Sequence, residues 1–321
     1  MNRDGERGKV LLSVTGFDPA AWHDALKQAA PQRDIVLRAD KAGDPDITYA
    51  VVWKQPPGVL RDLPNLRAVF SIGAGVDHIF SGDEVPDVPI VRVVADDLTE
   101  RMSEYVVWQV LDHHRKGPLY REQQSKTIWH EVRMQPAAKE VSVGILGLGT
   151  LGRDAANKLR MLGFKVAGWS RTPKQMEGVQ TYAGRSGLDE FLAVSDVVVC
   201  LLPLTQETHG ILSASFFEKM KRHGALGAPV LINAGRGGLQ VETDIIEALD
   251  AGRLGAVTLD VFQTEPLPAD SSLWRHPNIT ITPHCAATSD PRALVPPMVA
   301  QMDAHDAGKP LVNLVDREAG Y

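Results

Sequence analysis

Residues 141–152 read VSVGILGLGTLG. The apolar run from Val141 to Leu146 has the composition of a buried strand, and the residues from Thr150 to Leu162 have the composition of a helix. Between them stands Gly147-x-Gly149-x-x-Gly152. Strand, glycines and helix in this order form a dinucleotide-binding fingerprint in which each glycine has a mechanical task. Gly147 makes the tight turn, Gly149 lets a pyrophosphate approach the backbone, and Gly152 lets helix and strand pack closely. The helix start, with Thr150 and Leu151, offers unpaired N–H groups and a positive dipole end to phosphates. The alternative is a glycine-rich turn in an unrelated α/β protein.

Further apolar runs follow at Lys165–Trp169, Val197–Leu202, Val230–Asn233, Ala256–Val261 and Ile279–Thr282. With the first run they make six strands, the number of a complete dinucleotide-binding sheet. Upstream, Lys9–Val14, Ile47–Trp53 and Leu66–Ile72 also read as buried strands, with a helix over Trp22–Ala30. Such alternation predicts an α/β fold of doubly wound parallel sheets covered on both faces. A long helix is expected from Thr99, which serves as its cap. The polar stretch from Lys116 to Glu140, with Gly117, Pro118 and Pro136, reads as a surface arm. The segment Asp290–Gly308 is expected to be helical beyond its opening proline pair. Having no sheet of its own to cover, it should return to the first domain.

Composition bounds the function. A chain of 321 residues with 44% hydrophobic and 23% charged residues is an ordinary globular protein of two-domain size. Its net charge of −6 argues against general nucleic-acid binding, so no nucleic-acid partner is expected. Cys200 and Cys285 are too few for a disulfide framework, and both are read as packing residues in a reducing compartment. No stretch has the apolar length of a membrane span or the flanks of a signal peptide, so the cytoplasm is the expected location.

The second strand of the fingerprint unit selects the cofactor. An acidic residue about 20 residues past the glycines would bind a ribose 2′-hydroxyl. Here the chain reads Gly168-Trp169-Ser170-Arg171-Thr172-Pro173-Lys174. Arg171 can pair with a 2′-phosphate, helped by the hydroxyls of Ser170 and Thr172 and by Lys174, so NADPH is expected ahead of NADH. A solvated basic loop is the alternative.

Three more segments lie at strand ends, where open α/β sheets place ligands. They are Asn233-Ala234-Gly235-Arg236-Gly237, Leu259-Asp260-Val261-Phe262 leading into Thr264-Glu265-Pro266, and Thr282-Pro283-His284. Together with Gly73-Ala74-Gly75-Val76-Asp77, Leu273-Trp274-Arg275-His276-Pro277 and Val315-Asp316-Arg317, they are similar to the D-isomer-specific 2-hydroxyacid dehydrogenase family over nearly the whole chain. Within that family the chain most resembles the type A glyoxylate/hydroxypyruvate reductase subgroup. The resemblance implies a discontinuous flavodoxin-like substrate domain (residues 1–102 plus 288–321) and a Rossmann NAD(P)-binding domain (residues 103–287). The substrate pocket is expected between them.

It also implies NADPH-dependent reduction of small 2-keto acids, glyoxylate to glycolate and hydroxypyruvate to D-glycerate. The residue types suit that chemistry. Arg236 offers a planar, permanently charged fork to the substrate carboxylate. His284 is the proton donor for the oxygen on which negative charge builds, because imidazole titrates near working pH. Glu265 orients His284 and favours its charged form. Leu202, Pro203, Ala234 and Asp260 are expected around the cofactor, with Asp260 at the nicotinamide carboxamide or else an ordinary strand-end aspartate. Ala74 and Gly75 are expected to meet the substrate carboxylate through backbone N–H groups, and Trp53 either walls that pocket or is simply buried. Met102 is expected beside the nicotinamide. His113 and His114 read as a solvated helix end, and no metal site is expected. The resemblance further implies a homodimer formed through the cofactor domains and the arm near Arg121–His130.

One departure is visible: Cys285-Ala286-Ala287-Thr288 stands where many family members have glycine. Two rival functions stay open. One is a dehydrogenase of the same family with another substrate. The other is a nicotinamide-sensing binding protein without significant turnover, since such relatives can keep all three site residues.

Overall fold

The computed structural model describes residues 7–37, 43–61, 63–80 and 87–321. The chain divides into one unit of Met1–Leu98 with Ser289–Tyr321 and another of Thr99–Thr288. In the first unit the elements are β1 (Lys9–Val14), α1 (Pro19–Ala29), β2 (Ile35–Leu37), β3 (Ile47–Trp53), β4 (Ala68–Ser71), α2 (Asp77–Phe80) and β5 (Ile90–Val91). All pairings are parallel, in the order β2-β1-β3-β4-β5. That is the flavodoxin-like order. Asp18 caps α1 by accepting the Ala20 N–H at 3.0 Å, and Pro19 fills the first helical position, where its missing N–H is no loss. The short β2 and β5, of three and two residues, were not anticipated because no periodicity can show in so few positions.

The boundary between the units falls inside α3 (Asp96–His114), so the expected division after residue 102 moves to Leu98. Thr99 is not the cap. The helix starts earlier, and Asp96 and Asp97 in its first turn complement the positive end of the helix dipole. Then come α4 (Gly117–Ser125), β6 (Ser142–Leu146), α5 (Thr150–Met161), β7 (Lys165–Ser170), β8 (Gln180–Ala183), α6 (Gly184–Val194) and β9 (Val197–Cys200). After them follow α7 (Ala214–Lys219), β10 (Val230–Asn233), α8 (Glu242–Asp250), β11 (Ala256–Leu259) and β12 (Ile279–Ile281). These strands form a seven-stranded parallel sheet in the order β12-β11-β10-β9-β6-β7-β8. Around β6 this is Rossmann topology, with β8 and β12 at the edges. Every residue of β9 and β10 is buried, as strands covered on both faces require.

After β12 the chain rejoins the first unit through α9 (Pro291–Asp306). Contrary to expectation, this helix begins before Pro296 and Pro297 and runs through them. Buried Leu294, Val295, Met298 and Met302 supply the packing that overrides poor intrinsic propensity. The fully buried Arg33 side chain holds the helix end, donating to Asp303 at 2.9 Å and Asp306 at 2.5 Å. Tyr49 adds a hydrogen bond to Asp306 at 2.8 Å.

His113 and His114 also depart from the sequence reading, being only 6% and 4% exposed. His113 packs against β11, with Nε2 2.7 Å from the Thr258 hydroxyl, which itself donates to Gln109 at 3.2 Å. Burial pushes the His113 imidazole down to about 4. Cys200 is fully buried, and its thiol is pushed up to about 12. Cys285 is exposed rather than packed. Among the described residues no helix is long and apolar enough to cross a membrane.

Candidate active site

The glycine loop joins β6 to α5. Gly147 has φ +116°, and a Cβ there would stand 2.9 Å from the Leu201 carbonyl oxygen. At Gly152 a Cβ would fall 2.0 Å from the Gly147 carbonyl oxygen, so only glycine lets α5 seat on the turn. Gly149 differs: a Cβ would meet nothing within 4 Å. The protein's own packing therefore does not require glycine at 149, and the open space is what a pyrophosphate needs. Gly149 is also the α5 cap and makes no side-chain capping bond, so the first N–H groups of the helix, with Thr150 exposed, face that space.

Beyond β7, Arg171 and Thr172 are exposed and Arg171 stands 3.8 Å from Glu207. Ser170 is 6% exposed and donates its hydroxyl to the Thr172 carbonyl at 2.8 Å, so it shapes the turn instead of offering that proton outward. Lys174 donates to the Leu148 carbonyl at 2.9 Å and braces the glycine loop. A 2′-phosphate would thus be met by Arg171 and Thr172. The residues fit a phosphorylated dinucleotide.

The chemical side chains stand on the loops after β10, β11 and β12, neighbouring parallel strands whose carboxyl ends share one sheet edge with β6. Buried Asn233 ends β10 and builds the first of these loops. Its Oδ1 accepts the Gly235 N–H at 3.0 Å, and its Nδ2 donates to the Arg236 carbonyl at 3.1 Å and to Gln240 Oε1 at 2.7 Å. Ala234 and Leu202 are mostly buried at 6% and 7% exposure, and Pro203 follows β9. Arg236 is half-buried and donates to the Gly235 carbonyl at 2.8 Å.

Gln240 then ties the Arg236 loop to the next, donating from Nε2 to the Val261 carbonyl at 3.0 Å. Gln263 answers with a bond to the Gln240 carbonyl at 2.8 Å. Glu265 follows, and its Oε1 accepts the Phe262 N–H at 3.2 Å. The same carboxylate meets His284 Nδ1 at 3.0 Å and 2.9 Å. With Nδ1 so engaged, Nε2 is the nitrogen left to face a reactant. His284 itself has left-handed backbone, φ +52°.

Asp260 is 1% exposed, and its carboxylate accepts bonds from Thr282, Cys285 and Ala286, which close the turn carrying His284. Burial raises its carboxyl above the usual range despite those donors. Met102 lies in the second unit's core, packed with Tyr105, Ile145 and Ala286. Sequence reasoning overlooked Asn233 as a builder, and with it Gln240, Tyr105 and Thr282. Polar residues near a motif gave the only signal, and their partners lie far along the chain.

The residues expected at the substrate carboxylate lie in the first unit. Trp53 ends β3 and lies against His78, with ring centroids 4.5 Å apart and planes tilted by 51°. A Cβ on Gly73 would stand 2.1 Å from the Trp53 ring, so glycine is needed for the loop to pass under the indole. Ser71 shapes that loop, donating toward the Gly73 and Gly75 carbonyls at 3.0 and 3.2 Å. Ala74 and Gly75 are half-buried beside it. The structure thus gathers Trp53, Ala74 and Gly75 at the carboxyl edge of one sheet. Arg236, Glu265, His284 and the glycine cradle gather at that edge of the other.

Comparison with known proteins agrees with this geometry. Residues 107–286 match the family model described as "D-isomer specific 2-hydroxyacid dehydrogenase, NAD binding domain". The chain is 38% identical to glyoxylate/hydroxypyruvate reductase A of Yersinia enterocolitica, over 95% of this chain and 97% of that protein. Among solved structures it resembles the NADPH-dependent glyoxylate/hydroxypyruvate reductase of Sinorhizobium meliloti, solved with NADP and sulfate. There the identity is 48%, the TM-score is 0.92, and the match covers 98% of this chain and all of that one. A D-isomer specific 2-hydroxyacid dehydrogenase of Xanthobacter autotrophicus, solved with NADPH, gives 39% identity and a TM-score of 0.91, over 98% of this chain and 100% of that one. The chain belongs to the D-isomer specific 2-hydroxyacid dehydrogenase family.

Proposed function

We propose that this protein is an NADPH-dependent reductase of small 2-keto acids, converting glyoxylate to glycolate and hydroxypyruvate to D-glycerate. The observation that carries the reading is the His284–Glu265 contact at 2.9 Å on the sheet edge that also bears Arg236 and the glycine cradle. Relatives of reductase name and structures solved with NADP or NADPH support the same choice.

When bound, NADPH supplies a hydride to the carbonyl carbon. Gly147, Gly149 and Gly152, with the N–H groups of Thr150 and Leu151, hold its pyrophosphate. Arg171 and Thr172 meet the 2′-phosphate. Leu202, Pro203, Ala234 and the buried Asp260 border the nicotinamide end. Arg236 grips the substrate carboxylate with its planar fork and polarises the adjacent carbonyl oxygen. As negative charge builds on that oxygen, His284 delivers the proton from Nε2 while Glu265 holds Nδ1 and stabilises the charged ring before transfer. Within the first unit, Ala74, Gly75 and Trp53 are the residues we assign to substrate binding.

A second copy of the chain is the partner we infer. Trp129 is 101% exposed and Met134 92%, on the segment following α4, and Trp108 of α3 is 53% exposed. Apolar side chains of this size, this far out, suit burial against another protomer. The two free thiols suit the reducing cytoplasm.

Chiral analysis of the product tests the proposal. Hydroxypyruvate with NADPH is expected to yield D-glycerate, whereas L-glycerate or an unchanged keto acid would contradict it.

A further inference from the structure

Three donors close on the carboxylate of Asp260. The Thr282 hydroxyl donates to Oδ1 at 2.6 Å, the Cys285 N–H to Oδ1 at 2.9 Å and the Ala286 N–H to Oδ2 at 2.9 Å. The Asp260 main-chain carbonyl also accepts the His284 N–H at 2.8 Å. Successive N–H groups turned toward one anion make a concave nest, a shape that needs a left-handed residue. Here that residue is His284, at φ +52°. Side chains other than glycine rarely adopt this backbone, and it persists only where surroundings hold it. The Asp260 carboxylate is what holds it.

Thr282 is the junction behind that carboxylate. Its hydroxyl proton goes to Asp260, so the Tyr105 hydroxyl, 2.7 Å away, must donate to it. Tyr105 is 5% exposed and Thr282 8%, so neither group has ready access to water as a substitute partner. Burial raises the Tyr105 phenol further above its ordinary value, which keeps it a donor. The chain of bonds runs from α3, through the residue two positions before His284, into the anion that shapes the His284 turn.

We propose that Thr282, held by Tyr105, is a positioning residue for proton delivery: its hydroxyl fixes the Asp260 carboxylate and thereby aims the His284 imidazole. This rests on the reading of His284 as the proton donor. Neither Thr282 nor Tyr105 touches reactants in this scheme.

Thr282→Val keeps the shape and removes the hydroxyl. Its kcat with hydroxypyruvate, counted per NADPH-binding site, is expected to fall about 10-fold or more, because small misplacements of a reacting group have effects of that size. KM and the NADPH Kd from fluorescence titration should stay within about two-fold, since the residues assigned to the cofactor phosphates and the substrate carboxylate are untouched and Asp260 keeps its two backbone N–H donors. Thr282→Ser should restore most of the loss. A kcat within about two-fold of wild type, a loss confined to KM or NADPH binding, or a serine variant as slow as the valine variant would each overturn the proposal. Should Thr282→Val not fold, Tyr105→Phe decides. It keeps the Thr282–Asp260 bond and is expected to lower kcat by about three-fold, and an unchanged kcat overturns the proposal. The two readings separate cleanly: if His284→Ala itself turns over normally, the donor assignment fails, whereas a dead His284→Ala beside a normal Thr282→Val sinks only the positioning role.

Discussion

At the scale of single residues, the three glycines of the loop have different tasks, and substitution separates them. Gly152→Ala places a methyl 2.0 Å from the Gly147 carbonyl oxygen, so it is expected to lower Tm by several degrees. Gly149→Ala meets no protein atom. Its Tm should stay near wild type while NADPH binding weakens by about ten-fold or more, because the methyl enters phosphate space. Thermal melts beside fluorescence titrations check both, and equal damage to stability by the two variants would contradict the division of labour. At the sheet edge, His284→Ala is expected to reduce kcat by roughly 10²- to 10⁴-fold with little change in NADPH affinity. Arg171→Ala should raise the NADPH Kd by about ten-fold and leave the NADH Kd nearly unmoved, since only the former carries the 2′-phosphate.

Much of the candidate site was legible because its residues sit in short motifs at strand ends, where sequence neighbours are also spatial neighbours. Gly147, Arg236, Glu265 and His284 are of that kind. The bond from the Ser170 hydroxyl to the Thr172 carbonyl is not legible in the sequence, because the destination of a hydroxyl proton depends on turn geometry. Gln240, Tyr105 and Thr282 stayed hidden because their roles lie in bonds across long stretches of chain, from Tyr105 to Thr282 or from Gln240 to Val261.

Among the elements, α3 carries the plainest error and a test of its correction. His113 stands beside Arg115 and Lys116 in sequence, which suggests water, yet the ring lies against β11. A buried neutral imidazole binds fewer protons folded than unfolded. Between its ordinary 6.5 and its folded value of about 4 the unfolded chain therefore takes up the extra proton, and stability falls as pH falls. The slope contributed by this one group is about 1.4 kcal/mol per pH unit at most. Chemical denaturation of wild type and His113→Gln between these limits should show the steeper loss in wild type. Parallel curves would mean that the ring is not buried neutral. In α9, Arg33→Met strips the buried partner from Asp303 and Asp306 and is expected to destabilise the first unit by about 2 kcal/mol, discounted because both carboxylates keep some water. Strands long enough to show an apolar run, such as β3, were legible. β2, β5 and β8 were not, since their pairing partners rather than their own residues define them.

For the whole molecule, a net charge of −6 must coexist with an anionic cofactor and anionic substrates. Under the proposed function, capture would depend on local positive charge at Arg171, Arg236 and the α5 start rather than on the global field. The measurement that bears most directly on the function is the initial rate of NADPH oxidation, and separately of NADH oxidation, with glyoxylate, hydroxypyruvate and pyruvate as acceptors. Fast oxidation of NADPH with glyoxylate and hydroxypyruvate, and slower oxidation of NADH, is the expected result. NADPH binding without turnover of any of the three acids would contradict it and leave a nicotinamide-sensing protein in its place.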